Sequence, residues 1–262
     1  MTVKQLHSCL INKKQFIPYF TYGDMSESFT HDLVCQTFEQ GIDIVELGFP
    51  FSDPIADGEV IQDSHQRALK NKPNLNLNSL FSMTKLIKKK FPNKYIIIML
   101  AVNLVIQYDI EAFFESANDS GISGVIIPDL NIDSADSYRE NADKNKIGLI
   151  NLVSPLCDIR RLKKIVMLSS GFVYLISSLG TTGERSSFSK KLESLTAQIK
   201  TIKPIAVGVG FGISQTDHIK SVYQFADAAI VGSHLISLIS KNYNSPKTAL
   251  TAIHKRIKTL LT

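Results

Sequence analysis

A strand-and-helix pattern that repeats along the whole chain is the strongest constraint on its fold. Eight short apolar runs, rich in β-branched and aromatic residues, are bounded by Gly, Pro or Asn and followed by longer amphipathic stretches. Such alternation is typical of βαβ units that form a parallel sheet. The predicted strands span residues 16–22, 42–48, 94–100, 124–129, 147–153, 171–177, 204–210 and 226–232.

The hydrophobic residues of these runs are nearly continuous, which predicts strands that are covered on both faces. Eight strand–helix units within 262 residues favour a closed (β/α)8 TIM barrel over an open doubly wound sheet. Segment 59–91 is long enough for two helices, so extra helices are expected after the second strand, and another is predicted over 246–261 at the C-terminus. Because no linker or low-complexity segment divides residues 1–262, a single α/β domain is predicted.

The charge pattern narrows the possible ligands. The net charge of +5 is mild, and the basic residues are spread out, with short clusters at residues 88–90 and 160–164. These clusters lie at helical spacing without interleaved aromatic residues, so they indicate solvated helix faces rather than a nucleic-acid-binding patch. An acidic small substrate would suit the same charge.

Cysteine and histidine usage predicts neither disulfides nor a metal site. Cys9, Cys35 and Cys157 are odd in number and widely separated, which indicates free thiols in a reducing, cytoplasmic compartment. The six histidines are scattered, and none lies at a metal-ligand spacing. No apolar stretch reaches the ~18 residues that a membrane span requires, and the N-terminus lacks the apolar core of a signal peptide.

The segment VELGFPFSDPIADG, residues 45–58, carries two carboxyl groups where chemistry is expected. TIM barrels react at the carboxyl ends of their strands, and there Glu46 ends a buried run and Asp57 follows in a polar loop. An unpaired buried carboxylate is costly, so Glu46 either pairs with a buried Arg or Lys or has a raised pKa. Asp57 should stay ionised. Two carboxyl groups with separated pKa values would suit a lyase or isomerase that moves protons.

Glycine-containing segments after the last two predicted strands favour a phosphate site. They are GVGFGIS at residues 208–214 and VGSH at 231–234, and the second opens a helix. Glycine lets backbone N–H groups approach an anion, a helix N-terminus favours negative charge, and these loops commonly bind phosphate in TIM barrels. The alternative is a pair of tight turns with Ser233 as an ordinary N-cap. A third segment, LGTTGERSS at 179–187, predicts either a lid over the substrate or a flexible connection.

Seven segments of the chain, in order and over nearly its full length, resemble the tryptophan synthase α-subunit family. They are FIPYFTYGD, VELGFPFSDPIADG, IQ..H.RAL, GVIIPDL, YLISSLGTTG, GFGIS and IVGSHLI. The resemblance implies a TIM barrel that cleaves indole-3-glycerol phosphate to indole and glyceraldehyde 3-phosphate, a retro-aldol reaction. It implies no cofactor in this subunit, and pyridoxal phosphate in a β subunit with which it forms an α2β2 complex.

By the same resemblance, Glu46 is the general acid/base and Asp57 hydrogen-bonds the indole N–H. The resemblance assigns substrate binding to Tyr19, Tyr174, Thr182, Gly183, Gly212, Gly232 and Ser233. It places a surface for the β subunit at Pro50, Asp53, Pro54, Asn103 and Asp129. The chain departs from the family pattern at Ala101, where a tyrosine is usual, and at Asn131, Thr181, Glu184 and His234.

Two other functions stay open at this point. One is another phosphosugar barrel such as an epimerase, against which the segment ELGFPFSDPIADG argues. The other is a degenerate α subunit that survives only as an activator of its β partner. Intact Glu46 and Asp57 speak against degeneration, whereas Ala101 speaks for it.

Overall fold

The structure, a computed structural model, describes residues 3–54, 57–176, 185–210 and 212–262, with only the backbone at 185–189. Parallel strands alternate with helices throughout these ranges. The strands are β1 (Gln15–Thr21), β2 (Ile44–Gly48), β3 (Tyr95–Met99), β4 (Gly124–Ile126), β5 (Gly148–Ile150), β6 (Leu152–Val153), β7 (Phe172–Ile176), β8 (Ala206–Gly210) and β9 (Ala228–Val231). The α-helices are α1 (Val3–Asn12), α2 (Glu27–Glu39), α3 (Glu59–Asn71), α4 (Leu77–Lys90), α5 (Val102–Tyr108), α6 (Ile110–Asp119), α7 (Asp136–Lys144), α8 (Ile159–Leu168), α9 (Arg185–Ile202), α10 (Thr216–Tyr223), α11 (Ser233–Lys241) and α12 (Pro246–Leu261).

The strands form one sheet in the order β5-β4-β3-β2-β1-β9-β8-β7-β6. Its two edge strands, β5 and β6, are consecutive in sequence and separated by Asn151 alone. Because β5 pairs with β4 whereas β6 pairs with β7, the chain joins the two edges and closes the sheet into a barrel. The predicted TIM barrel is confirmed, although the single strand predicted over 147–153 is interrupted at Asn151.

The strands are buried on both faces, as their continuous apolar runs predicted. Every residue of β1, β2 and β3 is buried. β-Branched residues suit this pleated, covered position, and three successive isoleucines occupy β3 at residues 96–98. The helices turn one apolar face to the sheet; α8 buries Leu162, Ile165 and Val166 while its cluster of basic residues faces outward.

The extra helices expected after the second strand are α3 and α4, and the predicted C-terminal helix is α12. Helix α1 was not predicted. It buries Leu6 and Leu10 and covers the amino ends of the strands, where Tyr95 Oη donates to the Gln5 carbonyl (3.1 Å). No helix in the described ranges combines the length and apolarity that crossing a membrane requires. All three cysteines are free thiols.

Candidate active site

Glu46 carries a buried carboxyl group that has no partner among the described residues. It lies in β2, in register with Tyr19 of β1 and Ile97 of β3, and its exposure is 0%. Neither carboxyl oxygen has a hydrogen-bond partner among the described residues. Burial, and secondarily the charge of Asp57, raises the pKa of Glu46 to about 8. The buried ion pair that the sequence left open is therefore wrong within the described part of the chain.

Asp57 holds the second carboxyl group, in the loop between β2 and α3. Its backbone N–H donates to the Pro54 carbonyl (3.0 Å), and Gln62 Nε2 donates to the Asp57 carbonyl (2.8 Å), which ties the loop to the first turn of α3. Asp57 is half-buried, and burial raises its pKa to about 6. At neutral pH Glu46 is therefore mostly protonated and Asp57 mostly ionised, as the sequence predicted.

Two buried tyrosines, Tyr19 and Tyr174, complete the inner wall, and each lies across a glycine of the next strand. A Cβ at Gly48 would lie 1.9 Å from the Tyr19 hydroxyl oxygen, and one at Gly210 would lie 2.1 Å from that of Tyr174. No side chain fits at such distances, so glycine is required at both positions. In both strand pairs, β1–β2 and β7–β8, the glycine leaves room for a tyrosine ring at the barrel mouth.

These side chains line a cavity of about 310 Å³ at the carboxyl ends of the strands, called the first cavity below. It brings together every predicted catalytic and substrate-binding residue that the structure describes: Glu46, Asp57, Tyr19, Tyr174, Gly212, Gly232 and Ser233. Thr182 and Gly183 lie outside the described residues. Sequence reasoning missed the apolar wall, including Met99 at the end of β3 and Ile61 in the first turn of α3. Their positions at element ends are the signal that could have found them.

The far side of the first cavity is built mainly from backbone. Helix α11 begins at Ser233, with Gly232 as its N-cap and no side chain capping it. Uncapped N–H groups at a helix start favour an anion. Gly212 has φ +72°, in the left-handed region that favours glycine. The alternative of Ser233 as an ordinary N-cap is wrong, because Gly232 occupies that position. Within the described ranges, no cluster of His, Cys, Asp or Glu side chains could hold a metal ion.

A second cavity, of about 340 Å³, adjoins the first and shares Tyr19, Asp57 and Met99 with it. Three of the predicted partner-surface residues, Asp53, Pro54 and Asp129, line this second cavity, as does Ala101. Ala101 follows β3, and in the cavity lining it joins Pro128 and Asp129, which follow β4.

Two further predicted partner-surface residues behave differently from each other. Asn103 is exposed in the first turn of α5, beside Val102, whose N–H donates to Asp129 Oδ1 (2.8 Å). Pro50 is buried directly after β2. Its side chain therefore does not lie on the exposed rim where the sequence placed it, whereas Asp53, three residues later, is exposed.

His65 connects the loop after β2 to the shared wall of the two cavities. The Phe51 N–H donates to Nδ1 (3.3 Å), and Nε2 lies 3.3 Å from the Tyr19 hydroxyl. Burial lowers the pKa of His65 to about 4, so the ring is neutral near pH 7. Because Nδ1 accepts, the single ring proton lies on Nε2 and is donated to Tyr19. His65 stands in the matching segment IQ..H.RAL, but no role for it follows from the sequence.

Comparisons with known proteins identify the family. The family model described as Tryptophan synthase alpha chain matches residues 7–261. The tryptophan synthase alpha chain of Petrotoga mobilis is 35% identical over 249 residues, which cover 95% of this chain and 95% of the relative. That of Arabidopsis thaliana is 36% identical over 251 residues, 95% of this chain and 89% of the relative.

Solved structures of tryptophan synthase alpha subunits also match this chain. Tryptophan synthase subunit alpha from Legionella pneumophila superposes with a TM-score of 0.87 at 30% identity, covering 99% of this chain and 97% of that one. A chain from the tryptophan synthase α2β2 complex of Pyrococcus furiosus gives a TM-score of 0.85 at 34% identity, covering 95% and 98%. This chain therefore belongs to the tryptophan synthase alpha chain family and is a carbon–carbon lyase of tryptophan biosynthesis.

Proposed function

We propose that this chain cleaves indole-3-glycerol phosphate to indole and glyceraldehyde 3-phosphate by a retro-aldol reaction. The observation that carries the proposal is the buried Glu46, which has no partner in the described part of the chain and is protonated near neutral pH while Asp57 is ionised. A proton donor and a separate negative charge on the wall of one cavity are what this reaction needs. Membership of the family makes this substrate the first to test.

The layout of the first cavity suits a ligand with an aromatic ring at one end and a phosphate at the other. Strand β1, which carries Tyr19, lies between β2, which carries Glu46, and β9, which leads through Gly232 into α11. Ile61 and Met99 offer an apolar wall for the indole ring. Backbone N–H groups around Gly212 and at the start of α11 offer donors to the phosphate.

The proposed step moves one proton through Glu46. Its carboxyl group donates a proton to indole C3, and the positive charge that develops on the ring nitrogen is stabilised by the Asp57 carboxylate. The Glu46 carboxylate then takes the proton of the adjacent side-chain hydroxyl, while the bond between C3 and the side chain breaks and its electrons return to the ring. Indole and an aldehyde leave, and Glu46 ends protonated as it began.

The fate of indole suggests a partner. Indole is small and apolar, so a product released to solvent is readily lost. The α2β2 complex of the Pyrococcus furiosus relative supports assembly with a β subunit, which would supply pyridoxal phosphate and join indole to serine. The exposed Asp53, Asn103 and Asp129 lie on the same rim as the two cavities and form the surface that we assign to this partner.

A direct assay tests the reaction. Purified chain is incubated with indole-3-glycerol phosphate, and indole and glyceraldehyde 3-phosphate are measured separately, with and without the cognate β subunit. Equal amounts of both products are expected in each case. Isomerised phosphosugar without indole would favour the epimerase, and stimulation of the β subunit without any cleavage would favour a degenerate activator.

Light scattering on the mixed subunits tests the partner. We expect the mass of an α2β2 complex, and we expect Asp53→Lys to weaken association about tenfold by placing a reversed charge on the surface. Asp63→Lys, a reversed charge at an exposed position of α3 outside the assigned surface, is the matched control. A chain that stays monomeric with its cognate β subunit would rule out the partner and leave the cleavage reaction untouched.

A further inference from the structure

Arg256 and His234 form a polar pair beside the backbone end of the first cavity. Arg256 lies on α12, and its Nε donates to His234 Nε2 at 2.7 Å. Its Nη2 donates to the Ser214 carbonyl at 2.6 Å, so the guanidinium is held from two sides. His234 and Ser214 both line the cavity, His234 in the first turn of α11.

This pairing settles which nitrogen of His234 carries a proton. A guanidinium has only N–H donors, so His234 Nε2 must accept through its lone pair. The neutral ring has one N–H group, and it is therefore on Nδ1. Burial, and then the positive charges of Arg256 and Lys241, lowers the pKa of His234, which keeps the ring neutral in the unliganded protein.

The Nδ1–H group is available to a ligand. No described residue accepts a hydrogen bond from it, and the ring is only half-buried at the cavity wall. His234 directly follows Ser233, the first residue of the helix whose uncapped N–H groups form the proposed phosphate site. The side chain thus adds a donor to a place where backbone donors already converge.

The partial charge of a helix N-terminus is too small to balance a phosphate in the first cavity. Among the described residues no lysine or arginine lines the first cavity. A phosphate monoester carries about −1.5 to −2 charges near pH 7, whereas a helix N-terminus supplies only about +0.5. Arg256, directly behind His234, provides a full positive charge one hydrogen bond away from the cavity.

We propose that His234 binds the phosphate of the substrate through its Nδ1–H and that Arg256 is the positioning residue that fixes this tautomer. The proposal rests on the proposed function, since it presumes a phosphorylated substrate in the first cavity. It gives a role to a histidine that departs from the family pattern. It also gives α12 a part in substrate binding, through Arg256.

Binding of glycerol 3-phosphate, measured by calorimetry, tests the role of His234. His234→Ala and His234→Gln should each lower affinity about 10- to 100-fold, the scale of a lost hydrogen bond to a charged group. His234→Asn should stay within about threefold of wild type, because its amide N–H₂ group occupies nearly the place of Nδ1. Indole binding should not change in any of them, which also shows that the variants are folded. Equal affinity in wild type and His234→Ala would overturn the proposal.

Arg256→Met and Lys255→Met test the positioning role, because both remove one positive charge from α12 and Lys255 is exposed. Nitrogen-15 NMR of the histidine rings should show the Nδ1–H tautomer of His234 in wild type and in Lys255→Met, and a shift towards Nε2–H in Arg256→Met. Only Arg256→Met should lose most of its affinity for glycerol 3-phosphate. Equal losses in the two variants, or an unchanged tautomer, would overturn the role of Arg256.

The outcomes separate this proposal from the proposed function. Wild-type protein that neither binds glycerol 3-phosphate nor cleaves indole-3-glycerol phosphate would refute the function itself. Wild-type protein that does both, together with a His234→Ala variant of full affinity, would refute only the role of His234.

Discussion

The two ends of the first cavity are built in opposite ways. One end holds the Glu46 and Asp57 side chains and is called the carboxyl end of the cavity. There Glu46 projects from β2, has no exposed surface and makes no hydrogen bond to the described residues. At the other end, to which we assign the phosphate and which we call the phosphate end, the groups are backbone N–H donors of a glycine turn and a helix start together with His234, and Ser233 is exposed. Burial suits an acid that must hold a proton near pH 7, because desolvation disfavours its charged form. An anion site instead needs donors that the ligand can reach.

This difference predicts which substitutions should impair each end of the cavity. A buried carboxyl group is sensitive to the identity of one side chain, since its chemistry depends on one proton. Apart from His234, the other end consists of backbone donors, so it is damaged chiefly by groups that occupy its space or repel its anion. Substitutions at the two ends should therefore differ in the size of their effects and in which ligand they affect.

Glu46→Gln should produce the largest effect. Glutamine keeps the size of the side chain but cannot carry the proton, so cleavage of indole-3-glycerol phosphate should fall by about 10²- to 10⁴-fold. Glycerol 3-phosphate should bind as before, because it occupies the other end. Steady-state cleavage rates measure the effect, with Glu115→Gln on the exposed face of α6 as the control. Near-normal cleavage would exclude Glu46 as the acid.

Asp57→Asn should lower the cleavage rate about 10²- to 10³-fold, the scale of removing one preorganised electrostatic group. The pH profile sharpens the test. In wild type, kcat/KM should rise as Asp57 ionises at about 6 and fall as Glu46 loses its proton at about 8. Asp57→Asn should lose the rising limb. Its falling limb should move to lower pH, because the charge of Asp57 no longer raises the pKa of Glu46. A loss confined to substrate affinity would contradict this role.

The sequence could predict the carboxyl end better than the phosphate end. Glu46 and Asp57 stand in a long, specific segment, and an apolar run that ends in Glu already implies an unusual pKa. The barrel was also predictable, because eight strand–helix units have few other ways to close. The interruption of the fifth strand at Asn151 depends on how the sheet edges meet, which no local pattern records.

Long-range pairs explain most of what the sequence missed. Arg256 and His234 are 22 residues apart, and His65 meets Tyr19 across 46 residues. The spacing of these residues does not predict their contacts, because the contacts depend on how α12 packs against α11 and how α3 packs against β1. Helix α1 was missed for a similar reason: its apolar face is short, and what it covers is known only from the fold. The burial of Pro50 likewise depends on the path of the loop after β2.

The pH dependence of the protein's stability should also show that Glu46 is a buried acid. Glu46 has a pKa of about 8 when folded, against an ordinary value of 4.5, so the folded state holds a proton that the unfolded state has released. Stability is then fully present below the unfolded value and is lost as pH rises towards 8. Glu46→Gln cannot titrate, so its stability relative to wild type should grow by roughly 2 to 4 kcal/mol between pH 5 and pH 8.5. Urea unfolding at both pH values measures this difference. Parallel behaviour of the two proteins would mean that Glu46 titrates normally.

Gly212→Asp should show the smallest effect and the one most confined to the phosphate end. Aspartate tolerates the left-handed backbone at φ +72° better than most residues, so the main change is a negative charge near the phosphate. Affinity for glycerol 3-phosphate should fall about 10- to 100-fold through charge repulsion. Gly212→Asn, which has nearly the same shape without the charge, should lose much less. Indole binding and the pH profile of Glu46 should stay as in wild type, because the carboxyl end is untouched. Equal losses for Asp and Asn would show that space rather than charge governs this end, and a loss of indole binding would show that the two ends are not independent.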